Sequence, residues 1–149
     1  PSPRILPISP EAQAMSQASR DLIANYYAAF NHADWGTMRD LLDEQVAHDI
    51  SQGGREVGRE AFRAFLARMA RHYLEALSDI RILVSDDGRH AAAEYIVSGQ
   101  YLVQDEGLPP ARGQRYRLPG AAFFEIRDGR ITRVSNHYNL RDWVAQVSE

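Results

Sequence analysis

Residues 26–66 read YYAAFNHADWGTMRDLLDEQVAHDISQGGREVGREAFRAFL. The opening residues close a helical stripe in which Leu22, Ile23, Tyr26, Ala29, Phe30 and Ala33 recur on one apolar face, with Tyr27 on its flank. The polar NHAD at 31–34 breaks that stripe, and a second, shorter helix restarts with Trp35, Met38, Leu41 and Leu42 on its buried side. VAHDI at 46–50 then reads as a strand and stops at the QGGREVG loop. A third helix begins near Gly58, with Phe62, Phe65, Leu66, Met69, Tyr73 and Leu77 as its stripe.

Working outward, residues 1–8 are a Pro-rich arm, and Ser9-Pro10-Glu11 starts the first helix with Ser as N-cap and Pro in the first turn. Downstream the pattern changes to strands. Residues 79–85 pass through the turn signal DDG into 90–103, a hairpin. A Pro/Gly-rich connection (104–113) leads to a strand at 114–127, with a bulge or bend expected at LPG. A turn at RDG leads to a strand at 130–138, and NLRDWVAQV is a short amphipathic tail. Helices followed by an antiparallel meander predict an α+β domain, its N-terminal helices covering one face of a curved sheet. The 149 residues suit one domain, with the folded core at 9–143.

Composition removes several chemistries. There is no Cys, so thiolate nucleophiles and thiolate metal sites are excluded, and no Lys, so an enzyme Schiff base and a P-loop are excluded too. Net charge is -3 and the arginines are scattered, which does not suit nucleic-acid binding. Arg without Lys, with abundant Ala, points to a GC-rich bacterial genome. No apolar run is long enough to span a membrane. The start at Pro1 fits removal of an initiator Met, and a cytoplasmic protein is the expectation. The five His form no HxH or HExxH arrangement, and neither a metal nor another cofactor is expected.

Strand parity assigns faces. In 90–103 the odd set Ala91, Ala93, Tyr95, Val97, Tyr101 and Val103 should face the helices. In the last strand Val134, Asn136, Tyr138 and Leu140 form the comparable set, which puts His137 on the opposite face. In 46–50 parity alone does not choose, because Val46, His48 and Ile50 compete with Ala47 and Asp49.

The 26–66 segment, together with GAAFFEIRDGRITRVSNHYNL at 120–140, resembles the nuclear transport factor 2-like superfamily, in its SnoaL-like and steroid delta-isomerase branch. The resemblance covers roughly residues 20–143 and implies a cone-shaped α+β barrel enclosing a hydrophobic pocket, and a homodimer. It places Tyr26 where the steroid isomerases carry a first-helix Tyr, and Asp49 where they carry a general-base Asp. An ungapped match would put Ile50 in the second place. Two residues before Phe124, where that family has its second oxyanion-hole acid, this chain has Ala122.

The resemblance thus implies a small-molecule enzyme that moves a proton next to a carbonyl without a cofactor. Asp49 is its candidate base and Tyr26 the hydrogen-bond donor to the enolate oxygen. Tyr95, Tyr101, Asn136, Tyr138, His72 and Phe124 are the candidate pocket lining. The ligand is expected to be small and hydrophobic. The plainer alternatives are a solvated strand-end Asp49, a core Tyr26 and a structural, outward His48. His72 lies at the edge of the third helix, and the 105–116 loop is either a simple connection or, at the pocket mouth, a lid or a dimer-contact arm. Ala122 keeps a non-catalytic carrier or sensor of a hydrophobic ligand as the alternative function.

Overall fold

The computed structural model describes residues 2–148. Helix α1 (Pro10–Asn31) starts as expected, with the Ser9 hydroxyl accepting from the Ala12 N–H at 3.1 Å. It buries Leu22, Ile23, Tyr26, Tyr27 and Ala29 against the sheet. Asp34 caps α2 (Trp35–Asp40), which anchors Met38 in the core. Strands β1 (Leu42–Asp49) and β2 (Arg55–Val57) follow; the second lies in the segment expected to be loop. Helix α3 (Arg59–His72) leads into β3 (Tyr73–Val84), β4 (His90–Tyr101), β5 (Arg115–Arg127) and β6 (Arg130–Tyr138), and α4 (Leu140–Val147) follows.

The six strands form one sheet in the order β2-β1-β6-β5-β4-β3. Every neighbouring pair is antiparallel except β1 and β6. Helices α1–α3 cover the concave face of this cone-shaped α+β fold. Ile23, Phe62, Leu42, Phe124 and Val134 form one core cluster, and α4 closes a second around Tyr101, Tyr116 and Trp143. No helix among the described residues is long and apolar enough to cross a membrane.

Two boundaries differ from the sequence reading. The third helix stops at His72 rather than running through Leu77. Tyr73 turns extended (φ -133°, ψ 136°), and the His72 carbonyl accepts from the Leu102 N–H at 2.7 Å. A spacing of four, as between Tyr73 and Leu77, keeps two side chains on one side in a helix and in a strand alike. The expected break at LPG is also absent. Pro119 keeps its place opposite Ile96, and the irregularity falls at Glu125/Ile126. The β6 ladder reaches only Gly120, so the missing Pro119 N–H faces an edge that has already ended.

Candidate active site

The inward rows of β1, β3, β4, β5 and β6 meet α1 and α3 around a cavity of about 400 Å³. That is within the range of small-molecule sites. Parity held in β4 as far as Tyr101, where the strand ends and leaves Val103 exposed, and in the second half of β6, so Tyr95, Asn136 and Tyr138 line it, as does Tyr26 from α1. His137 sits on the other side of β6, its Nε2 2.7 Å from the Ser135 hydroxyl and its ring against Phe123, and reaches the cavity at its rim.

In β1 the choice fell the other way from the resemblance. Val46 and His48 point inward, and His48 is 1% exposed on the cavity wall. The outward, structural reading of His48 is therefore corrected. Asp49 lies outside the cavity lining. Its carboxylate accepts from Arg55 Nε at 2.6 Å, from Arg55 Nη2 at 3.0 Å and from Arg133 Nε at 2.8 Å. The bond from Arg55 most of all, helped by Arg133, holds Asp49 well below the usual carboxylate range. An inward, raised-pKa Asp49 is thus not what the fold builds, because a strand alternates faces and the apolar Val46 claims the core.

His48 packs between Phe62 and Phe65, each ring centroid 4.6 Å away, and its Nε2 lies 3.2 Å from Asn136 Nδ2. Burial lowers its pKa to about 4, against a smaller opposing pull from Asp49. The imidazole is neutral at neutral pH.

Asp105 and Glu106 reach the cavity from the 105–116 loop, and the carboxyl that faces it from the sheet is Glu75, on β3. In register it stands beside Gly99 of β4, which stands beside Tyr116 of β5. A side chain at Gly99 would collide with the Tyr116 ring, so the glycine leaves the groove along which Tyr116 crosses to the third strand. There the Tyr116 hydroxyl donates to Glu75 Oε2 at 2.5 Å. Burial pushes the Glu75 carboxyl above its usual range, and the Tyr116 hydrogen bond only partly offsets this. A second row repeats the device: Tyr95 lies over Gly120, which pairs with Tyr138.

Three expected lining residues are elsewhere. Tyr101 is fully buried, stacked on Tyr73 at 5.6 Å, and its hydroxyl donates to the Pro109 carbonyl and accepts from the Asp105 N–H. Phe124 is core, packed edge-on against Tyr26 and Tyr27. His72 is held by the Val103 carbonyl at 2.9 Å, with Asp105 3.9 Å away. Ala122 is fully buried between Ala93 and Asn136 in register, outside the lining. The 105–116 loop does reach the cavity, through Asp105, Glu106 and Leu108, and the Tyr73 hydroxyl donates to Asp105 at 2.7 Å.

Burial also raises the phenols of Tyr26 and Tyr27 far above their ordinary range, and that of Tyr95 to about 12. These groups are hydrogen-bond donors at any working pH. Among the described residues no group of three or more His, Asp or Glu could hold a metal ion.

The SnoaL-like domain family matches residues 23–134. A candidate polyketide cyclase from Xanthomonas campestris pv. campestris is 54% identical, with 90% of this chain and 99% of that one covered at a TM-score of 0.87. A second candidate polyketide cyclase, from Pseudomonas putida KT2440, is 52% identical over 87% of this chain and 98% of that one, with a TM-score of 0.86. An NTF2-like protein from Burkholderia xenovorans LB400 shares the fold at 10% identity, with 89% of this chain and 98% of that one covered and a TM-score of 0.70. No curated protein sequence matches the chain.

Proposed function

The chain belongs to the SnoaL-like domain family, and from that premise we propose a small-molecule enzyme that transfers protons next to a carbonyl, with Glu75 as its acid-base group. The observation that carries this reading is the Glu75 carboxyl, enclosed at the wall of an apolar cavity and oriented by Tyr116. Burial moves the carboxyl pKa upward, the direction that suits a carboxyl acting as general acid-base group near neutral pH. The relatives that are more than half identical, both candidate polyketide cyclases, support ring-closing chemistry of the same kind.

Ionised Glu75 takes a proton from the carbon beside the carbonyl, and the C–H electron pair becomes the enolate. Tyr26 and Tyr95, buried phenols on the same wall, donate to the developing oxygen. In a ring closure the enolate carbon attacks a second carbonyl of the same molecule, and the Glu75 proton goes to the alkoxide formed. In an isomerisation the proton returns to a different carbon. Such a base contributes about 10²–10⁴-fold.

The fully buried Ala122 favours one other reading, a carrier that binds such a molecule without turning it over. A UV-monitored conversion of a β,γ-unsaturated cyclic ketone to its conjugated isomer separates the two. Turnover that is lost in Glu75→Gln and kept in Asp49→Asn supports the enzyme. Turnover unchanged in Glu75→Gln would remove Glu75 from the chemistry.

A further inference from the structure

Asn136 stands on the inward face of β6, half-buried on the cavity wall. On one side it faces Ala122 of β5, whose side chain is a single methyl. On the other, the β1 ladder ends with Asp49 opposite Ser135, so no β1 residue stands beside Asn136. Neither neighbouring strand therefore covers the amide from its own register position.

His48 fixes which end of the amide is free. Asn136 Nδ2 lies 3.2 Å from His48 Nε2, and the imidazole is neutral, its pKa lowered to about 4 by burial. A neutral ring accepts at Nε2 when its hydrogen is on Nδ1, so the amide nitrogen donates there. Phe62 and Phe65, each ring centroid 4.6 Å away, hold the imidazole in place. The amide is planar, so turning Nδ2 towards His48 turns Oδ1 away from it. No donor among the described residues meets Oδ1, and the oxygen keeps accessible surface, unlike the sealed Tyr27 hydroxyl and His48 Nδ1. On a residue that lines the cavity, that surface is available to a ligand.

We infer that Asn136 sets specificity by accepting, through Oδ1, a hydrogen bond from a ligand hydroxyl (an alcohol, enol or phenol), and that His48 is the positioning residue that keeps the oxygen turned to the cavity. In the proposed chemistry this hydroxyl is a second polar group, separate from the carbonyl that Tyr26 and Tyr95 meet. An ether or a methyl group in the same place has no hydrogen to give, and it would cover Oδ1 without satisfying it. The inference rests on the reading of this cavity as a small-molecule site.

Equilibrium dialysis near neutral pH with three naphthalenes tests it, substituted at the β position by hydroxyl (naphthol), methoxy (methoxynaphthalene) or methyl (methylnaphthalene). The parent protein should bind naphthol about threefold to tenfold more tightly than methylnaphthalene, and methoxynaphthalene no more tightly than methylnaphthalene. Glu75 also offers an acceptor, so the variants assign the preference. In Asn136→Leu the naphthol advantage should vanish while methylnaphthalene still binds, and in Glu75→Gln the advantage should persist. His48→Phe frees the amide to present either end, so naphthol and methoxynaphthalene should then bind within about twofold of each other. The inference is overturned if the parent shows no naphthol advantage or binds methoxynaphthalene as well as naphthol. It is equally overturned if the advantage survives Asn136→Leu, disappears in Glu75→Gln, or if His48→Phe leaves the discrimination of hydroxyl from methoxy unchanged. An Asn136-dependent naphthol preference in a protein with no Glu75-dependent turnover would keep this inference and sink the enzymatic reading, so the two fail separately.

Discussion

Tyr116 and Glu75 sit on strands that are not neighbours, yet the Tyr116 hydroxyl donates to the Glu75 carboxylate at 2.5 Å across the intervening β4. The bond exists because Gly99 offers no side chain where the ring passes. It fixes one carboxylate oxygen and leaves the other without a hydrogen bond to the protein.

Gly99→Ala should therefore act through Tyr116. Its φ needs no glycine, so the cost is steric: a methyl group in the path of a buried ring, about 1–3 kcal/mol of overpacking. Denaturant unfolding should register that loss together with reduced turnover. A variant as stable and active as the parent would mean that the ring has another route.

Tyr116→Phe removes a hydrogen bond that favours ionised Glu75. The Glu75 pKa, already raised, should rise further, and the acidic limb of the pH–rate profile should move to higher pH. An unmoved limb would show that Glu75 does not control it.

How much of this was legible in the sequence depended on the residue. The alternation in β4 and β6 identified Tyr95, Asn136 and Tyr138, because one face of β4 is the more apolar and Val134 and Tyr138 mark the matching face at the end of β6. In β1, apolar residues fall on both parities, and only the packing of Val46 and His48 under α3 decides. Glu75 was hidden by the helix-to-strand junction, where Tyr73 and Leu77 satisfy both periods. Read as a strand, Tyr73, Glu75 and Leu77 share a face, and an acid among them is the signal that was available. Tyr27 was left on the flank because spacing alone does not show how wide the buried face of α1 becomes between the sheet and α3. Nothing local in the sequence shows that Tyr101 spends its hydroxyl on the Pro109 loop.

Asp49→Asn should behave as a structural change. Its ion pairs with Arg55 and Arg133 lie on the outer face, with a quarter of the Asp49 side chain exposed. Solvent screening limits their worth to about 1 kcal/mol. A folded pKa below the unfolded one contributes stability above the usual carboxylate range, lost only as pH falls through the folded value. The variant should unfold at slightly lower denaturant and bind cavity ligands like the parent. Loss of ligand binding would instead place Asp49 in the site.

His48 titrates in the opposite sense to a histidine that gains a partner. Its folded pKa of about 4 lies below the unfolded 6.5, so the unfolded chain binds the proton first. Stability from this source is intact above pH 6.5 and is lost progressively as pH falls towards about 4. The total is on the order of 3 kcal/mol at most. His48→Phe should flatten that slope in denaturant titrations across the window. An unchanged slope would mean that His48 can charge without unfolding the site.

The most direct test of Glu75 as the proton-transfer group does not need the natural product. Solvent deuterium entering the carbon next to the carbonyl of benzylacetone can be followed by NMR with parent, Glu75→Gln and Asp49→Asn proteins. Exchange accelerated by the parent and by Asp49→Asn, but reduced to the uncatalysed rate in Glu75→Gln, is the predicted result. Equal acceleration by the parent and Glu75→Gln would contradict the account, as would loss of exchange in Asp49→Asn alone.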